Sequence, residues 1–256
     1  ERLPRLDNVA EPRQGLATAD NFRFLRYWWE VGRERIGFYQ HDLQAACDSG
    51  KKWFTLMKGG AYRKWYGNQD HVINYRKDGY ELKAWADPLY GNSGWSRIIK
   101  SVDYYFHEGV TFTAVTSKGF GVRYMPQGFI FDHGGNCVFP EEKTGIYTLL
   151  GIMNSSFVWA MLQTLNPTIN FFIDDIKRIP LYTGPVSELL EQCSSLAVQM
   201  RRAIALSNEM VFEFVSPLDW AKGQGRLTIA HNLLSYLEAQ IDDEVYRLYG
   251  ISDEDR

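Results

Sequence analysis

The chain has 256 residues, of which 45% are hydrophobic and 23% charged, so it can bury a sizeable core and does not belong with disordered chains. Its formal charge of -3 excludes a uniformly basic protein. Its three cysteines, Cys47, Cys137 and Cys193, exclude a disulfide scaffold and read as reduced, buried thiols of a cytoplasmic protein.

The chain opens at Glu1 with no initiator Met, basic n-region or apolar h-region, and so reads as a fragment of a longer protein. The first two thirds are short in period and rich in turns. Segments 53–57, 71–75, 110–115, 122–124 and 128–131 concentrate aromatic and β-branched residues and predict strands. Gly59-Gly60, Asp78-Gly79, Asp87-Pro88, Gly119, Gly121 and Gly134-Gly135 predict turns. Residues 144–173 carry no charge and include an apolar run at 146–153. A spanning helix needs about twenty unbroken apolar residues. This run breaks at Asn154-Ser155-Ser156, which predicts a junction into a second helix over 157–165, stopped by Asn166-Pro167. A buried helical pair is therefore expected, and no membrane insertion.

From Pro185, a residue suited to the first helical position, Val186, Leu189, Leu190, Cys193, Leu196, Met200 and Ile204 recur at helical spacing until Pro217. A second helix is predicted from about Leu227, with Leu233, Leu234, Leu237, Ile241, Val245 and Leu248 on one face and Gly250 as its terminator. The expected fold class is α+β. A mainly β domain over 1–182, with an N-terminal connecting segment and the buried helical pair, precedes an α-helical region over 183–256.

Charge is distributed unevenly along these parts. Residues 51–130 hold twelve Lys and Arg against six Asp and Glu, whereas 186–256 hold six against twelve. A basic half suits a phosphate-facing surface, because DNA-backbone contacts gain free energy from neutralised charge and released counterions. Between Lys51 and Arg123, basic residues alternate with Trp53, Tyr62, Trp65, Tyr66, Tyr75, Tyr80, Trp85 and Trp95. Lys and Arg position phosphates, an Arg fork can read guanine, and large aromatics stack or wedge beside unstacked bases. The densest string is Lys58-Gly59-Gly60-Ala61-Tyr62-Arg63-Lys64-Trp65-Tyr66-Gly67-Asn68, whose glycines permit a tight turn from which side chains project. The candidate DNA-binding residues are Lys58, Arg63, Lys64, Trp65, Arg76, Lys77, Arg97, Lys118 and Arg123. The plainer alternative is a solvated surface over an aromatic core, and such composition also occurs in carbohydrate and protein binders.

Catalytic constellations are missing. His133-Gly134-Gly135 has no Gly-x-Ser-x-Gly partner and reads as a hairpin turn. His133 and Cys137 have a spacing that two metal ligands can share on a helix, but no second Cys/His pair accompanies them. Asp174 and Asp175 lack a third acidic ligand and read as a loop or strand-edge pair.

Several strings are fairly specific to one family. They begin in 15–31 with Phe22-Arg23-Phe24-Leu25-Arg26-Tyr27-Trp28-Trp29 and continue through 59–68, Tyr104-Tyr105-Phe106-His107-Glu108-Gly109-Val110-Thr111 and 119–132, including Gly119-Phe120-Gly121-Val122-Arg123. With Leu149-Leu150-Gly151-Ile152-Met153-Asn154-Ser155-Ser156, Asn166-Pro167-Thr168-Ile169-Asn170-Phe171 and Asp175-Ile176-Lys177-Arg178-Ile179-Pro180-Leu181, the chain resembles the C-terminal target-recognition region of PglX-type adenine-specific DNA methyltransferases of BREX phage-defence systems. Single-chain restriction-methylation enzymes are related to them. After Pro180 the match is only to the general plan of a helical extension.

The resemblance implies a parent enzyme that methylates adenine N6, with S-adenosylmethionine bound by an upstream domain and none bound in this fragment. It implies double-stranded DNA, the upstream methyltransferase domain and other BREX proteins as partners. Residues 1–182 would be the target-recognition domain. No catalytic residue carries over, because the chain lacks both a glycine-rich methyl-donor turn and an Asn/Asp/Ser-Pro-Pro-Tyr/Phe motif. Asp87-Pro88-Leu89-Tyr90 reads as a turn and Asn166-Pro167-Thr168-Ile169 as a helix stop. A second reading makes the chain a protein-protein interaction module of the same defence complex, acting through the acidic helices.

Overall fold

A computed structural model describes residues 3–91, 93–141, 144–219 and 222–256. In chain order its elements are β1 (Ala10–Arg13), α1 (Asn21–Phe24), β2 (Leu25–Tyr27), β3 (Ile36–Gly37), α2 (Leu43–Asp48), β4 (Trp53–Met57), β5 (His71–Asn74), α3 (Arg76–Tyr90), β6 (Gly109–Thr113), β7 (Val122–Met125), β8 (Ile130–Phe131), β9 (Gly135–Pro140), α4 (Ile146–Asn154), α5 (Ser156–Leu165), α6 (Ile173–Lys177), α7 (Glu188–Ala205) and α8 (Gly223–Tyr249). The class is α+β, as the sequence predicts.

Two sheets carry the strands. One is antiparallel in the order β1-β9-β6-β7, and the other runs β2-β5-β4-β3. The outer edge of β4 is shared: β3 pairs in parallel with Trp53 and Phe54, and β8 with Leu56 and Met57. Side-chain alternation in the first sheet separates two cores. Val110, Phe112, Val122 and Val138 face a core made with α4, α7 and α8, while Met125, Cys137 and Phe139 join Phe54, Leu56, Ile73 and Phe131 in the other.

Helix α4 is buried from Thr148 to Asn154 because the first sheet covers one side and α7 another. Ser155 separates it from α5 and caps α5, its Oγ accepting from Val158 N. No helix among the described residues is long and apolar enough to cross a membrane. Helix α8 ends where predicted, at Gly250 with φ 67°. The α7 face is rotated from the predicted one. Leu190, Cys193, Ala197 and Val198 are buried, whereas Val186, Leu189 and Leu196 are exposed. The helix starts after an Ser187 cap rather than at Pro185, and it ends at Ala205, well before Pro217.

Three further expectations need correction. Residues 76–90 form a helix inside the stretch read as mainly β: Leu82 and Ala86 are buried four residues apart. Its entrance at Lys77, Asp78 and Gly79 is left-handed, so the Asp78-Gly79 turn exists, but Asp87-Pro88-Leu89-Tyr90 is the last helical turn. The Gly134-Gly135 turn joins no hairpin, since β8 and β9 belong to different sheets. Asp174 and Asp175 sit in the first turn of α6, paired with Lys177 and Asn166 respectively.

Candidate nucleic-acid interface

The loop joining β4 to β5 is held from below by its aromatic residues. Trp65 is 0% exposed. Its backbone bridges to β7, with Trp65 N donating to Val122 O at 2.8 Å and Tyr124 N to Trp65 O at 2.8 Å. Its indole Nε1 donates to Glu238 Oε1 of α8 at 2.7 Å. Tyr66 is buried as well, and its hydroxyl donates to Glu213 Oε2 at 2.5 Å. Burial and that carboxylate push the Tyr66 hydroxyl well above the usual tyrosine range. The glycines permit the close approaches: a Cβ on Gly59 would stand 2.3 Å from Gly134 O, and Gly67 has φ 132°.

Anchoring leaves Arg63 exposed. Gly121 lies against the loop, where a Cβ would be 2.9 Å from Arg63 O, so the loop carrying exposed Lys118 adjoins the loop carrying Arg63. Lys64 and Lys58 are half-buried: Lys64 Nζ donates to Asn154 O at 2.9 Å, and Lys58 Nζ to Asp132 Oδ2 at 2.9 Å. Four candidates thus share two adjoining loops.

The other candidates do not. Arg76 and Lys77 are exposed at the opposite end of the β4–β5 pair. Arg97 is exposed in the short 3-10 turn after α3. Two candidates are withdrawn from the surface altogether. Trp65 belongs to the core, so its ring faces no solvent-borne base. Arg123 is 0% exposed on the inward face of β7; its Nη1 donates to Thr113 Oγ1 at 3.0 Å, while Nε and Nη2 find no partner among the described residues. Burial draws its guanidinium down to about 10, against the opposing pull of Cys137 and Asp132.

One part of the basic, aromatic surface lies outside 51–130. Phe22 is 89% exposed, and the Arg26 guanidinium stands over both its ring and that of Trp53. Tyr27 and Trp29 stack at 4.6 Å, with His71 tilted against Tyr27. His71 Nδ1 is 2.6 Å from Asp70 Oδ1; burial tends to raise the Asp70 carboxyl, but this bond and the charge of Arg63 hold it below its ordinary value. The signal was the four arginines against two glutamates in 22–35. Among the described residues no group of three or more His, Cys, Asp or Glu could hold a metal ion.

No family model matches the chain. It is 34% identical over 249 residues to the adenine-specific methyltransferase BrxX of Escherichia coli O9:H4 strain HS, covering 96% of this chain and 18% of that protein. It is 34% identical over 201 residues to the adenine-specific methyltransferase PglX of Lacticaseibacillus casei strain Zhang, covering 77% of this chain and 16% of that protein. The chain therefore spans less than a fifth of the length of these relatives. Among solved structures, the type IIL restriction-modification enzyme MmeI in complex with DNA superposes with a TM-score of 0.57 and 11% identity, over 98% of this chain and 34% of that one, a likeness of fold. By the extent and identity of the two sequence matches, the chain belongs, as one segment, to the BrxX and PglX family of adenine-specific methyltransferases.

Proposed function

We propose that the chain is the DNA-recognition segment of an N6-adenine DNA methyltransferase of a BREX-type phage-defence or restriction-modification system. The observation that carries this reading is the anchored loop: Trp65 and Tyr66 fix it to the core while Arg63 projects beside Lys64, Lys58 and Lys118. A rigidly held cationic loop loses little entropy on binding, so its contacts translate into affinity and a fixed register on the duplex. Phe22, Arg26, Tyr27 and Trp29 extend the surface, and Arg76, Lys77 and Arg97 form outlying phosphate contacts. The fold neighbour MmeI was solved with DNA, which supports duplex DNA as the ligand.

Methyl transfer belongs to the upstream domain, which binds S-adenosylmethionine and flips the adenine. The strand-to-helix turn from β5 into α3 does not fit that cofactor. The β5-to-α3 turn has a single glycine, Gly79, and its open side is filled by the Tyr75 ring 2.7 Å from where a Cβ would stand. In this reading the protein works in the cytoplasm beside other BREX proteins.

Titration of duplex DNA at increasing salt tests the reading. Affinity should fall steeply, and Arg63→Ala with Lys118→Ala should reduce the salt slope by about two. In the complete enzyme the same pair should change which genomic adenines are methylated. Absence of binding at low salt by both the chain and the complete enzyme sinks the proposal. A protein-partner role for α8 has its own support in the exposed stripe Ile229, Leu233 and Tyr236. Charged substitutions there should leave DNA affinity unchanged while releasing the partner.

A further inference from the structure

A cavity of about 290 Å³ lies where the 58–68 loop meets α7 and α8. Its charged lining is Arg63, Lys64, Arg201 and Glu238, with Tyr62 and Tyr66 as aromatic walls. Three cations thus face one carboxylate, and that carboxylate is already engaged by the Trp65 indole. Among the described residues neither Arg63 nor Arg201 forms an ion pair, and Arg201 Nε is buried without a hydrogen-bond partner. The next residue shows the contrast: Arg202 is paired through two nitrogens with Glu213, the same carboxylate that receives the Tyr66 hydroxyl. Carbonyls at the end of α7 would repel an anion, and three of the last four are already hydrogen-bonded by backbone N–H groups. Leu206 N donates to Arg202 O, Ser207 N to Ile204 O and Asn208 N to Ala205 O.

We propose that this cavity binds a phosphate group, held by the Arg201 and Arg63 guanidiniums and the Lys64 ammonium. A partly desolvated guanidinium without a partner is unfavourable, and phosphate oxygens match its fork of donors. The size places the occupant at the lower limit of small-ligand sites, roughly 300 Å³, so it is a free phosphate or mononucleotide, or one backbone phosphate of DNA. The inference does not require that the loop reads bases. Occupancy would tie the loop to α7, because Arg63 and Lys64 come from one and Arg201 from the other.

Calorimetric titration of the 256-residue chain with inorganic phosphate, adenosine monophosphate and a short DNA duplex tests the site, with Arg201→Gln as the main variant. Binding of phosphate or the nucleotide, weakened at least tenfold by Arg201→Gln, establishes a free-ligand site. Binding of the duplex alone, with the affinity likewise weakened by Arg201→Gln, assigns the cavity to a backbone phosphate. Lys118→Ala, outside the cavity, should weaken only the duplex, which separates failure here from failure of the DNA-recognition reading. Should Arg201→Gln not fold, as judged by circular dichroism, Arg201→Lys, which keeps the charge but loses the fork of donors, takes its place with the same expected loss. No binding of any of the three probes, or wild-type affinities in a folded variant, overturns the proposal.

Discussion

Trp65 and Arg63 lie two positions apart and meet opposite environments. The indole is enclosed by both the first sheet and α8, so Trp65→Ala should destabilise the fold by about 3 to 5 kcal/mol, read from chemical denaturation. Arg63→Ala should leave the denaturation midpoint nearly unchanged, since that side chain is exposed. Glu244 sets a pH dependence. The Arg247 guanidinium, bonded twice at 2.7 Å, outweighs burial and, with the Ser187 hydroxyl, holds its carboxyl below the ordinary 4.5. A depressed carboxylate contributes stability that is complete above pH 4.5 and is lost as pH falls through the folded value. Glu244→Gln should therefore cost about 1 to 2 kcal/mol at pH 7 and progressively less toward pH 3, measured as urea midpoints.

At the scale of elements, glycine has two separable uses. Gly250 has φ 67° with nothing near its missing Cβ, so Gly250→Ala should cost only the left-handed backbone penalty, about 1 kcal/mol. Gly59 instead lets the 58–68 loop pass the Gly134 backbone, and Gly59→Ala should cost more, about 1 to 3 kcal/mol, and, on the proposed function, weaken DNA binding by displacing the loop. Comparing thermal melts of the two variants with duplex titrations checks both. Elements with a local signature were legible in the sequence: the β4 segment, the Ser155 junction and the Gly250 stop appear where residue order put them. Helix α3 was not, because its turn-forming Asp78-Gly79 and Asp87-Pro88 outweighed the spacing of Leu82, Trp85 and Ala86 in the local pattern.

Across the whole molecule, one core joins the β region to the C-terminal helices. Val110, Leu149 and Val158 share it with Leu190, Ala197, Leu237 and Ile241, and α4 packs on α7 so closely that a Cβ on Gly151 would stand 2.4 Å from Ser194 Oγ. A chain ending at residue 182 should accordingly lose its cooperative thermal transition and bind an apolar dye, because these surfaces and the Glu238 support of Trp65 go with the helices. A retained sharp transition would show that the helices are dispensable. The sequence by itself determined the α+β class, the uncharged helical pair, the opposite charge of the two parts and the family resemblance, since each depends on composition or on neighbours along the chain. Only the tertiary structure decided which basic and aromatic residues face water. Trp65 and Arg123 are chemically indistinguishable from surface candidates in one dimension; β7 and α8 close over Trp65 by contacts 57, 59 and 173 residues distant in sequence, and Arg123 turns inward from β7 to Thr113 of β6. Pairing decided the rest: among the described residues Glu213 neutralises Arg202 while Arg201 forms no ion pair, a distinction between adjacent arginines that depends on which carboxylate folds beside them.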